Sequence, residues 1–255
     1  MLYGAGDLAT KENMMRPMIG RRGGKTKLAD QIIKLFSPDE YIKTYVELFV
    51  GGGSIFFKKK EAQINIINDL DKDIFNIYND SKKVDNIDDF DFTSDEDKFY
   101  KLLNSNPRRS RNRLYRNLYI SKNSFMGNRK TFGFDPQNPN TGINLKKKFK
   151  KYHEKILNTT ILNKDYREVI KQYNKNDTLF YLDPPYSEQK SSWGYNEGKD
   201  ITPEQLLKTL KTIKGYFLMS YDYTPELKKL FEQDFKVKIV KTRYETKLNH
   251  MKLKK

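Results

Sequence analysis

The chain has 255 residues, which suits one large domain or a core domain carrying one sizeable insertion. Its net charge of +16 favours a polyanionic partner, with nucleic acid first among them. The absence of cysteine excludes disulfides, zinc–cysteine sites and thiol nucleophiles, and no stretch approaches the roughly 20 apolar residues of a membrane span. Hydrophobic residues make up 36% of the chain, so the 17 Tyr and 16 Phe must carry much of the core. Met1 to Asn13 has neither an apolar core nor a cleavage pattern, so no secretory signal is expected.

Gly23-Gly24 reads as a turn, and Leu28, Ile32, Leu35 and Phe36 then recur at helical spacing up to Ser37-Pro38. Tyr45 to Val50 is an apolar strand that runs into Gly51-Gly52-Gly53-Ser54 and a helical Ile55 to Lys58. Ile64 to Ile67 is a second strand ending at Asn68-Asp69, and Ile74, Ile77 and Tyr78 mark the helix after it. Strand, glycine turn, helix, strand and helix is the layout of a parallel α/β sheet.

The pattern then changes. Val84 to Asp97 is rich in acids and predicts an exposed loop. From Arg108 to Lys130 there are eight cations and no acid: Arg108, Arg109, Arg111, Arg113, Arg116, Lys122, Arg129 and Lys130. Tyr115, Tyr119, Phe125 and several Asn, Asn123 among them, are interleaved, and Lys146 to Lys148 with Lys150 and Lys151 form a second basic cluster. This middle part interrupts the strand–helix alternation and reads as an insertion whose cations suit a nucleic-acid partner, most of them touching phosphate and some Asn or Arg reaching base edges. We place the insert at 81–155 and the core at 14–80 and 156–246.

Alternation returns with Thr160 to Leu162 before Asp165, and then with the strand Thr178 to Leu182. Thr202-Pro203-Glu204-Gln205 starts a helix with Thr as cap and Pro at its first position. Gly215 to Tyr221 reads as a strand, Pro225 to Phe231 as a helix and Val237 to Thr242 as a further strand, while Lys247 to Lys255 is expected to fray.

Two constellations carry chemistry. In Asp183-Pro184-Pro185-Tyr186, at the end of a strand, the prolines forbid a continued ladder. They leave a carboxylate, a rigid carbonyl and an aromatic ring together, a set able to accept hydrogen bonds from an exocyclic amine while stacking on its ring. The glycine triplet matches neither the phosphate-cradling P-loop nor Gly-x-Gly-x-x-Gly, yet Asp69 ends the next strand as a ribose-binding acid does. Together they favour a nucleoside ligand without pyrophosphate, and S-adenosylmethionine fits that description.

In order, Arg16-Pro17 with Gly23-Gly24-Lys25, Glu47 to Ser54, Asn68-Asp69, Asn123 to Gly127, Asp165-Tyr166, Asp183 to Tyr186 and Ser220-Tyr221-Asp222 resemble the motifs of the Dam-like, D12-class N6-adenine DNA methyltransferases. The resemblance spans nearly the whole chain. It implies a Rossmann-like S-adenosylmethionine-dependent methyltransferase sheet with a mainly helical target-recognition insert. It further implies that Gly51, Gly52 and Gly53 lie beneath the cofactor's methionine part, with Glu47 near its amino group and Phe49 and Arg21 close by. Asp69 would take the ribose hydroxyls, Asp165 and Tyr166 the adenine, and Lys25 the region between cofactor and target base. Asp183, Pro184, Pro185 and Tyr186 would handle a flipped adenine, with Asp183 also near the cofactor. Duplex DNA is the implied partner and no metal is needed. A monomer, or a transient dimer on DNA, would work in the cytoplasm of a bacterial, phage-infected or virus-infected cell, and restriction-modification is a setting that fits the resemblance.

Without a thiolate, the covalent route to 5-methylcytosine is closed. A cytosine-N4 or RNA amine methyltransferase, or a catalytically impaired DNA-binding homologue, are the alternatives. The chain departs from the family pattern at Arg21-Arg22, where Trp-Ala is usual, and in an ending of Asn249-His250 and lysines.

Overall fold

The structure, a computed structural model, describes residues 15–21, 23–36, 39–133, 142–185, 201–240 and 250–254. The chain divides into two compact units. One comprises Met1–Lys34, Gly51–Lys60 and Asp80–Leu157; the other comprises Leu35–Val50, Glu61–Asn79 and Asn158–Lys255.

The second unit is built on a mixed sheet. Its strands are β1 (Thr44–Glu47), β2 (Ile64–Asn68), β3 (Thr159–Leu162), β4 (Thr178–Leu182), β5 (Tyr216–Asp222), β6 (Lys236–Val240) and β7 (His250–Lys254). They lie in the order β3-β2-β1-β4-β5-β7-β6, and the first five run parallel. This is the expected Rossmann-like methyltransferase sheet. Strand order reverses between β1 and β4, so the carboxyl ends of these two strands flank the point where open α/β sheets take their ligands.

Every residue of β1 and β4 is buried, as the centre of a sheet covered on both sides requires. The period of two then separates the faces. Val46, Leu48, Ile66, Phe180, Leu182, Phe217, Met219 and Tyr221 join one apolar cluster with residues of three helices. These are α6 (Tyr166–Tyr173), α7 (Pro203–Leu210) and α8 (Pro225–Glu232). The opposite face of β1 and β4 carries Tyr45, Glu47 and Tyr181 instead. The predicted start of α7 is present as a full capping box: Thr202 Oγ1 accepts from Gln205 N, and Gln205 Oε1 accepts from Thr202 N.

The residues after β6 do not all follow the expectation of a frayed end. β7 pairs antiparallel with both β5 and β6, filling the place between them. Its alternation of Met251 and Leu253 with lysines suits a strand better than a solvated tail.

The first unit is mainly helical, with α1 (Ala29–Ile33), α3 (Glu96–Leu103), α4 (Ser110–Lys122) and α5 (Ile143–Leu157); α2 (Lys72–Ser81) runs across the boundary between the units. α1 is shorter than the helix predicted up to Phe36. Ile55 to Lys58 forms turns rather than a helix, although Phe57 N donates to Gly53 O and Lys59 N to Ile55 O.

The acidic stretch lies outside the named helices and strands as far as Asp95, and its acids are exposed as their charge predicts, but the segment is also anchored. Val84, Ile87, Phe90 and Phe92 are buried, and Asp95 caps α3 by accepting from Lys98 N at 2.7 Å. The apolar residues spaced through the acids are anchors, and the carboxylates between them face outward or cap. On α5, Leu145, Phe149, Tyr152 and Ile156 recur at helical spacing and are buried, and the Tyr152 ring meets Phe57 edge-on at 4.8 Å.

Candidate active site and nucleic-acid surface

Within the sheet unit, four acids stand where strands deliver them. Glu47 is the last residue of β1 and is 2% exposed; its Oε2 accepts from the Tyr45 hydroxyl at 2.7 Å. Asn68 closes β2 and ties three segments together. Its Nδ2 donates to Leu48 O and Lys164 O, and its Oδ1 accepts from Lys164 N, each at 3.0 Å. Asp69 follows, half-buried, with Oδ1 accepting from Asp71 N. Asp183 leaves β4 half-buried, with Pro184 buried behind it. Tyr186 lies outside the described residues.

Asp165 caps α6 and is gripped by Arg167, whose Nε and Nη2 reach its two carboxylate oxygens at 2.8 and 2.7 Å. The Arg167 hydrogen bond holds the Asp165 carboxyl below the usual carboxylate range, against a smaller desolvation effect. Tyr166 is 3% exposed, its ring 5.4 Å from that of half-buried Phe49, and burial raises its phenol.

Within the other unit, Gly51 and Gly53 adopt φ of +48° and +76°, a region that side chains disfavour. Gly52 is tight for a different reason: a Cβ there would sit 2.5 Å from Ile19 O. Met18 N donates to Gly52 O, so the segment before the first turn is laced to the triplet. The Arg21 side chain passes within 3.6 Å of the place a Gly51 Cβ would take, and Lys25, 3% exposed, donates to Gly23 O at 3.0 Å. Arg22 lies outside the described residues.

The eight cations of the basic stretch have unequal surroundings. Arg108 and Arg109 are exposed at the start of α4, and Lys130 is exposed beyond it. Arg111 binds Asp89 and Asn86 O and lies over the Phe90 ring. Arg113 makes two hydrogen bonds to Asp80, and Arg116 donates to Leu102 O and Leu103 O at the end of α3. Lys122 is half-buried, and desolvation lowers its ammonium pKa. Asn123 is fully buried, donating to Tyr119 O and accepting from Ser94 Oγ. Arg129 reaches Ser121 Oγ and Asn117 Oδ1 from a backbone at φ +59°.

The model of the D12 class N6 adenine-specific DNA methyltransferases matches residues 22–246. The chain belongs to that family. Two relatives agree with it over most of their length. The chain is 25% identical over 238 residues to the Type II methyltransferase M.CviBI of Paramecium bursaria Chlorella virus NC1A, covering 86% of this chain and 87% of the relative. It is 25% identical over 265 residues to the Type II methyltransferase M.MjaIII of Methanocaldococcus jannaschii, covering 89% and 91%. A D12-class methyltransferase methylates adenine in DNA, so the chain is a DNA adenine methyltransferase. Among the described residues, no helix is long and apolar enough to cross a membrane, and no group of His, Asp and Glu is placed to hold a metal ion.

Several residues of this methyltransferase were not singled out from sequence. Asp80 gave no signal, since one acid near a helix end is ordinary. Tyr45 looked like one more strand aromatic, and its i, i+2 spacing to Glu47 was the only clue to their contact. Phe125 and Met126, which belong to the motif at Asn123 to Gly127, are 56% and 60% exposed beside the basic stretch.

Proposed function

We propose that this methyltransferase moves a methyl group from S-adenosylmethionine to N6 of an adenine turned out of duplex DNA, at a defined short sequence. The observation that carries the reading is the delivery of Asp183 and Pro184 by β4 beside the switch point, next to the strand that ends in Glu47.

The residues fit the cofactor's chemistry. An ammonium group and a ribose diol are donors, and the sheet unit offers Glu47 and Asp69 as acceptors at the ends of neighbouring parallel strands. The left-handed glycines of 51 and 53 suit a backbone that a ligand approaches closely. When bound, the cofactor supplies an electrophilic methyl on sulfur.

The chain's part is then to make a poor nucleophile attack. An adenine amine has its lone pair drawn into the ring. The Asp183 carboxylate and Pro184 carbonyl accept its two N–H bonds, which favours a pyramidal nitrogen with an available lone pair. The amine that takes the methyl would gain positive charge beside Asp183, whose carboxylate would offset it. The amine's surplus proton, now acidic, leaves to that carboxylate or to solvent. Positioning and fixed charge carry the step. Tyr186 is assigned to stack on the base.

For the insert at 81–155, the proposed phosphate contacts start with Arg108, Arg109 and Lys130, whose exposure supports the role. A monomer working where duplex DNA is found in the cell goes with this reading. The test is incubation with labelled S-adenosylmethionine and duplex DNA, followed by digestion to nucleosides. N6-methyladenosine of the deoxy series is the expected product; its absence, or label on cytosine or on RNA alone, sinks the reading.

A further inference from the structure

Glu47 is a carboxylate that the fold has almost removed from water, and such a group is costly unless donors meet it. One donor is the Tyr45 hydroxyl, two residues earlier on the same face of β1, at 2.7 Å. A phenol has one proton and an ionised carboxylate only accepts, so the direction of this bond is fixed. Tyr45 itself has little room. It is fully buried, and the Phe36 ring lies 5.9 Å from it and 6.1 Å from that of Tyr181. Tyr181 is the register partner of Glu47 on β4, and its hydroxyl shares a 3.0 Å hydrogen bond with Ser220 Oγ on β5. Neighbouring strands thus lock the rings, and the locked ring aims the hydroxyl.

We propose that Tyr45 is a positioning residue for methyl-donor recognition, acting through Glu47 to orient the carboxylate that receives the donor's amino group. The proposal depends on the reading of Glu47 as that receptor. Burial, and then the nearby Glu47 charge, push the Tyr45 phenol well above its ordinary value, so it stays a proton donor across the working pH range. A purely structural tyrosine would support every ligand of the site equally. A positioning tyrosine supports only ligands that reach Glu47.

The test uses the full chain and Tyr45→Phe, which removes one oxygen and keeps the packed ring. Affinities are measured by calorimetry for three probes: S-adenosylmethionine, S-adenosylhomocysteine and 5′-methylthioadenosine, the last lacking the amino-acid part. Tyr45→Phe should weaken the first two about tenfold, as loss of a hydrogen bond to a charged group does, and leave the third within about twofold. KM for the donor should rise while kcat at saturation stays near wild type. In a Glu47→Gln background the same substitution should change little further. Equal weakening of all three probes, or no weakening of any, overturns the positioning role. A wild-type chain that binds the thioadenosine but gains nothing from the amino-acid part overturns the Glu47 reading, and the Tyr45 role with it.

Discussion

Arg113 grips Asp80 through two hydrogen bonds, Nε to Oδ2 at 2.7 Å and Nη2 to Oδ1 at 2.6 Å, and the carboxylate they reach is wholly buried. A fork meeting a carboxylate in this way ties α4 to the end of α2. The two residues are 33 positions apart.

Removing the cation should therefore unsettle the fold more than DNA binding alone. Arg113→Gln leaves a buried carboxylate without its fork, and about 3–5 kcal/mol of stability should be lost. Replacing both partners by apolar residues of similar volume should recover most of it. Denaturant melts of the single and double variants decide the point, and a single variant as stable as wild type would refute the anchoring role.

Exposed arginines should behave differently. Arg108→Gln with Arg109→Gln should leave the melt unchanged and weaken duplex binding. The slope of log affinity against log salt should become shallower by about 0.9 for each phosphate that is no longer neutralised. A slope equal to wild type would remove these two residues from the interface.

Asp183→Ala should abolish methyl transfer while duplex affinity stays within about threefold, because most duplex affinity comes from phosphate contacts. Single-turnover assays beside binding titrations separate the two effects. Residual transfer near the wild-type rate would show that the amine needs no carboxylate there.

Gly52→Ala meets backbone, not a yielding side chain. Its Cβ would lie 2.5 Å from Ile19 O, so one segment must move. A loss of about 1–3 kcal/mol is expected from such overpacking. An alanine variant that melts with wild type would mean the turn relaxes freely.

The Asp165–Arg167 pair predicts a sign in pH. Because the folded carboxyl titrates below its unfolded value, its stabilisation is present above the unfolded pKa and is lost as pH falls through the folded one. Arg167→Gln should raise the Asp165 pKa toward the ordinary carboxylate value, as carboxyl NMR titration would report. An unmoved pKa would assign the shift to the backbone cap instead.

The parallel core was legible because its strands are short, mostly apolar runs and its helices begin with local signals, as Thr202 with Gln205 illustrates. Local patterns cover short separations, and they found α7, α8 and the place of Asp183. They could not say which arginines of α4 are held by the protein itself. The partner of Arg111 is 22 positions away and that of Arg113 is 33, and nothing in a run of cations marks the pairing. Acidity likewise hid the anchors of residues 84–97, since Phe90 and Phe92 are outnumbered by the charges around them. For the candidate site, the strand ends supplied Glu47, Asp69 and Asp183, but the buried hydroxyl beside Glu47 belongs to packing.

The place of β7 bears on how this chain becomes a sheet. β6 is made before β7, yet among the described residues it pairs with β7 alone, and that ladder forms when residues 250–254 arrive. One edge of the sheet is therefore completed out of sequence order. Until then β5 presents an open row of amides and carbonyls, the kind of edge that recruits other chains. Shortening the distance between synthesis and closure, for example by joining β6 to a covalently earlier partner strand, should reduce aggregation during refolding more than it changes the final melting temperature.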